Sequence, residues 1–100
     1  MKEYTLYIGL KKKDMLTENS LDQTLSVVRA NFHKVGITGF NKVLITGEWA
    51  SVEEPTLRVS FINTFKVSDD DLKRVIGTIR DELNQESILV SSRRVSFNFI

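Results

Sequence analysis

Residues Thr5 to Lys13 read TLYIGLKKK, and the first half of that stretch decides how the chain begins. Tyr4, Leu6, Ile8 and Leu10 alternate with Thr5, Tyr7 and Gly9, the period-two pattern of a strand with one buried face. Past the polar run from Lys11 to Asn19, Ser20 can cap a helix, and Gln23 can complete a capping box with it. Leu21, Leu25, Val28 and Phe32 recur at helical spacing and share one stripe, and Gly36 is placed to end the helix.

Working outward, Phe40 to Ala50 is rich in β-forming residues, with Val43, Ile45 and Trp49 on one face and Phe40 and Leu44 on the other. Ser51 to Pro55, including Glu53 and Glu54, reads as a hairpin turn, with Pro55 at a strand start or edge. Leu57, Val59, Phe61 and Phe65 take the core phase of the next strand, and Arg58, Ser60 and Ile62 the opposite one. Ser68 and the carboxylates Asp69, Asp70 and Asp71 open a second helix over its positive dipole end. Its apolar stripe is Leu72, Val75, Ile76, Ile79 and Leu83. The chain closes on Ile88-Leu89-Val90 and on Val95, Phe97 and Phe99, as one long strand bulged near Ser92-Arg93 or as two short ones. The order β-α-β-β-α-β is the split βαβ plan called ferredoxin-like. It predicts a single α+β domain over residues 1–100, a four-stranded antiparallel sheet with two helices on one face.

Composition limits what such a domain does. Fourteen basic and thirteen acidic residues leave a net charge of +1, too little field for tight binding to a phosphate backbone or an anionic membrane. Cysteine is absent, which removes disulfides, thiolate metal sites and cysteine nucleophiles. No apolar run approaches the roughly 20 residues that span a bilayer. Met1 to Tyr4 already reads as strand rather than signal peptide, so a cytoplasmic protein is expected.

Function then turns on the sheet face the helices leave open, where Thr5, Tyr7, Arg58, Ser60 and Ile62 project. Tyr7 matches in phase the stacking aromatic of RNA-recognition sheets, but the third strand lacks the glycine and open-face aromatics that accompany it, so nucleic acid is not the expected partner and weak RNA binding through Tyr7 stands as a further alternative. Lys11, Lys12 and Lys13 read as a solvated loop; the alternative joins them to Arg93 and Arg94 as contacts for an anion or an acidic partner. The plan is expected to put the first and fourth strands at opposite sheet edges, keeping those two groups apart. His33, the one histidine, sits near the end of the first helix and would be the titrating group of any cofactor-free enzyme or small-molecule site, though no acid or oxyanion donor pairs with it by spacing. The three aspartates are explained by capping, so no metal or cofactor is expected. Trp49, on a hairpin, reads as a core or interface anchor.

In motif order the chain resembles a group of small bacterial proteins of unknown function, with forms on phages and mobile elements. The matching residues are Leu6-Tyr7-Ile8-Gly9-Leu10, Gly47-Glu48-Trp49, Glu54-Pro55 with Leu57 and Val59, Gln85-Glu86-Ser87-Ile88-Leu89 and Val95-Ser96-Phe97. The resemblance implies a compact α+β fold and no known reaction, and the lysine run departs from it. Together these readings predict a non-enzymatic interaction or regulatory module, with a host defence system as its candidate target. It would pair as a homodimer or with another protein through Tyr7, Trp49, Arg58 and Ile62.

Overall fold

The computed structural model describes residues 1–14, 16–49, 52–64 and 66–96, with the side chains at positions 49 and 52 outside that description. The roles expected of the Trp49, Phe65, Phe97 and Phe99 side chains therefore lie outside the described residues. The elements are β1 (Lys2–Gly9), α1 (Leu21–Lys34), β2 (Asn41–Trp49), β3 (Val52–Ile62), α2 (Asp69–Glu82) and β4 (Leu89–Arg94). This is the expected ferredoxin-like order, and the strands form one antiparallel sheet in the order β2-β3-β1-β4.

Each helix starts where its cap residue stands. Ser20 Oγ accepts from the Gln23 N–H at 3.0 Å and Ser68 Oγ from the Asp71 N–H at 3.1 Å, each satisfying one of the amides a helix start leaves free. Gly36 follows α1 at φ +83°, a conformation that costs glycine nothing. The two apolar stripes then meet one face of the two central strands. Tyr4, Leu6 and Ile8 of β1 and Leu57, Val59 and Phe61 of β3 pack against Leu25, Val28 and Phe32 of α1 and Leu72, Val75 and Ile79 of α2, all buried. Phe61 stacks on Tyr4 with centroids 5.7 Å apart and meets Phe32 edge-on at 5.3 Å, so the third strand's aromatic belongs to the core.

Several local expectations change. The strands of the β2–β3 hairpin run to Trp49 and from Val52, so Glu53, Glu54 and Pro55 lie inside β3, opposite Glu48, Gly47 and Thr46. Pro55 fits there because its carbonyl accepts from the Leu10 N–H at 3.0 Å, so its nitrogen faces the same way, toward the point where β1 has ended. In an antiparallel strand a residue directs both groups to one neighbour, so the missing donor costs the ladder little. β4 is continuous: its register runs unbroken from Tyr7 opposite Leu89 to Lys2 opposite Arg94, with no bulge at Ser92-Arg93. β1 is an inner strand directly beside β4, not at the opposite edge as expected. No helix among the described residues is long and apolar enough to cross a membrane.

Candidate functional site

The far end of β1 is held by a small hairpin built from the lysine run. Lys12 N–H donates to the Thr17 carbonyl at 2.8 Å, Asn19 N–H to the Leu10 carbonyl at 2.8 Å, and Lys11 bridges to Glu18. Asp14 closes it, taking the N–H groups of Leu16 and Thr17 at 2.8 and 3.0 Å and the Thr17 hydroxyl, and these donors hold its carboxyl below the usual range. The solvated loop expected here is thus an ordered turn. It is also tied to the segment after α2: the Lys13 N–H donates to the Asn84 carbonyl at 2.9 Å, and buried Gln85 donates through Nε2 to the Lys11 carbonyl at 2.7 Å. Asn84 makes the sharp exit from α2 at φ +52°, which asparagine tolerates.

These ties frame a cavity of about 500 Å³ at the end of β1, within the size range of small-molecule sites. Tyr7 and Gly9 form its floor, Lys11 to Lys13 one wall, and Glu86 to Leu89 the other, with Glu54 reaching in from β3. Glu54 lies so close over Gly9 that a Cβ at position 9 would stand 2.5 to 2.9 Å from its carboxyl atoms. Glycine at a strand position gives up side-chain packing, and Gly9 closes β1. Here it makes room for a carboxylate across the sheet.

Tyr7, half-buried, also borders a second, shallower depression of about 410 Å³ on the open face, with Thr5, Arg58, Ser60 and Arg93. The expected open-face residues are therefore brought together, Ile62 half-buried at their margin opposite Glu3. Arg93 is committed to Glu3, Nε to Oε1 at 2.7 Å. Lys11, Lys12 and Lys13 do not join Arg93 and Arg94 in the alternative cluster, and the two groups stay apart as expected. Arg93 and Arg94 stand beside Glu3 and Lys2 at the start of β1, and the lysines follow its end, roughly 25 Å away along an extended strand. The separation is along the strand rather than across the sheet. His33 is exposed in the last turn of α1 and borders none of these cavities. Of the aspartates, Asp69 receives the Tyr4 hydroxyl at 2.7 Å and Asp71 pairs with Arg74 at 3.1 Å.

Sequence reading by itself passed over Glu54, taken as a turn residue, and Gly9, taken as a place in an alternation. Gly9, Glu54, Gln85, Glu86 and Ser87 are singled out only by the resemblance. The available signal was a glycine inside a strand pattern, which marks either a bulge or a close approach.

No family model matches this sequence, and no curated protein matches it either. Two solved structures do share its architecture. A phage SAM lyase in the apo state superposes with a TM-score of 0.71 at 18% identity, covering 92% of this chain and 78% of that one. A phage SAM lyase in complex with S-methyl-5'-thioadenosine gives 0.73 at 20% identity, over 92% and 79%. At these identities the likeness concerns the fold. It nonetheless overturns the expectation of a non-enzymatic interaction module, because the neighbours that share this architecture over nearly the whole chain are enzymes.

Proposed function

We propose that this chain is a lyase that cleaves S-adenosylmethionine to S-methyl-5'-thioadenosine, working in the cavity at the end of β1. The observation that carries the reading is the Glu54 carboxylate laid over Gly9, facing Tyr7 and the Glu86 segment in a space of about 500 Å³. The substrate class named by the structural neighbours carries a sulfonium, an α-ammonium and an aromatic base. Two carboxylates beside a tyrosine ring suit those groups, opposite charge for the cations and an aromatic face for the base, while Lys11 to Lys13, which line the same space, offer charge that orients the substrate carboxylate.

The chemistry asks little else of the protein. A sulfonium carbon is already activated, because the departing thioether is neutral. When the substrate's own carboxylate oxygen attacks its Cγ, the C–S bond breaks with its electron pair going to sulfur. The products are the thioether and a five-membered lactone. One positive and one negative charge cancel, and no proton, water or added reagent is consumed. The protein's contribution is to fold the flexible methionyl chain into that ring-closing shape and to exclude water. Glu54, and Glu86 across from it, hold the cationic groups while leaving the substrate carboxylate free to attack.

Incubating the protein with S-adenosylmethionine and separating the products tests this directly. S-Methyl-5'-thioadenosine, below simply thioadenosine, should appear mole for mole with substrate lost, the four-carbon product should show lactone rather than vinyl protons by NMR, and Glu54→Gln should slow the reaction about 10²-fold or more. A folded protein that releases no thioadenosine, or a Glu54→Gln variant as fast as the parent, defeats the reading. Loss of this methyl donor would starve any host defence that depends on it, which is how the expected link to host defence would be met. The homodimer expected from the open face belongs to the same proposal: Tyr7 and exposed Arg58 stand where a second copy could close the half-open cavity. A single monomer mass by light scattering at all concentrations would remove it.

A further inference from the structure

On the helix side of the sheet, meeting the candidate cavity at Ser87 and Ile88, α2 and β4 stand apart and leave a groove of about 490 Å³. Every residue of β4 is exposed, although the strand lies in the sheet next to a helix. The floor is apolar, from Leu72 and Ile76 of α2 and from Ile88 and Val90, the last 39% exposed. The rim is cationic: Lys2 and Lys73 border the groove together with Arg80, whose Nε already meets Asp81 Oδ1 at 3.0 Å, and the one carboxylate that lines it, Asp69, takes the Tyr4 hydroxyl.

Gly77 supplies the observation that points to an occupant. It sits in the middle of α2, on the groove floor. A glycine weakens a helix interior, and this one answers no internal need: a Cβ there would meet only Arg80 Nη2, at 3.8 Å, an ordinary contact. What its missing side chain does is lower the floor, so that another backbone can come close. Groove length adds a second constraint. Asp69 to Arg80 spans about 16 Å of helix, the reach of about five extended residues.

We infer that this groove docks an extended acidic peptide segment of another protein, laid along the channel between α2 and the helix-side face of β4. Its aliphatic side chains lie alternately on Val90, Ile76 and the bare surface of Gly77, and its carboxylates reach Lys2, Lys73 and Arg80. Ser87 and Ile88 border both this groove and the cavity at the end of β1, so the peptide touches the segment that carries Glu86. The inference stands apart from the lyase reading, because binding is read without any substrate.

The probe is a labelled eight-residue peptide of alternating Val and Glu, followed by fluorescence anisotropy, with the matching Val and Lys peptide as control. The parent should bind the acidic peptide saturably and ignore the basic one. Gly77→Leu, which fills the floor with a better helix former, should weaken binding about tenfold or more, and so should Lys2→Glu with Lys73→Glu. Should Gly77→Leu misfold, Gly77→Ala is the milder filler and should weaken binding while raising the melting temperature. No saturable binding, equal binding of the basic peptide, or binding untouched by the fillers overturns the inference. It is equally overturned if the parent self-associates by light scattering and Gly77→Leu alone makes it monomeric, for then the occupant is a second copy.

Discussion

An alanine methyl at position 9 would stand 2.5 Å from Oε1 of Glu54, the far end of a flexible side chain rather than backbone. Relief is therefore cheap for the fold and costly for the site, since the carboxylate swings away. Gly9→Ala should change unfolding free energy by less than about 1 kcal/mol yet cut thioadenosine formation at least about tenfold. Full activity in that variant would mean that the placement of Glu54 over Gly9 does not serve the reaction. A second residue-scale case is the Tyr4–Asp69 pair. The hydroxyl's hydrogen bond, helped by the charge of Lys2, holds the Asp69 carboxyl below its ordinary range, and that same bond, with burial, pushes the Tyr4 hydroxyl up. A depressed carboxyl contributes stability that is whole above about pH 4 and is lost as pH falls through the folded value. A raised phenol contributes stability that is whole below about pH 10 and is lost as pH rises through its folded value. Melting temperature against pH should accordingly be flatter for Tyr4→Phe than for the parent at both ends, and lower in between. Parallel profiles would show that the pair is not linked to folding.

At the scale of elements, the legible parts were those with a repeating pattern or a cap. Ser20 and Ser68 announce their helices, and Leu25, Val28 and Phe32 or Leu72, Val75 and Ile79 announce which side is buried. What the pattern could not convey was pairing across the sheet. Pro55 reads as a strand boundary because proline lacks a donor, and only the end of β1 opposite it explains its place inside β3. Glu54 then passes for a turn residue for the same reason. The lysine hairpin is similar: its polar composition reads as solvated loop, and the order comes from Asp14 and from distant partners at Asn84 and Gln85. Removing the local closure should expose that dependence. Asp14→Ala is expected to speed amide exchange at Leu16 and Thr17 by about tenfold and raise the KM for substrate, with the helices untouched. Unchanged exchange at those two amides would place the order of the turn elsewhere.

For the molecule as a whole, the sheet has a covered middle and bare margins, which follows from two helices lying over four strands. β1 and β3, in the middle, bury the apolar core of the sheet, Leu6, Ile8 and Val59 having no exposed surface. β2, at one margin, leaves Val43 at 44% and Leu44 at 52% exposed, although both are aliphatic. Leu44 points to the same side as Leu57, its partner in register, so a lone molecule holds an apolar side chain in water beside its own core. Two truncations separate the consequences. Leu6→Ala removes a fully buried side chain from an inner strand and should cost about 2 to 5 kcal/mol, lowering the melting temperature by roughly 10 °C or more for a domain of this size. Leu44→Ala should cost no more than about 0.5 kcal/mol if β2 faces solvent. Measured at several protein concentrations, the second variant also bears on self-association. A cost at Leu44 that approaches that at Leu6 and grows with concentration means that the β2 margin is covered in solution by another copy of the chain. A small, concentration-independent cost leaves that edge bare, and any pairing between copies must then use the open face around Tyr7 and Arg58.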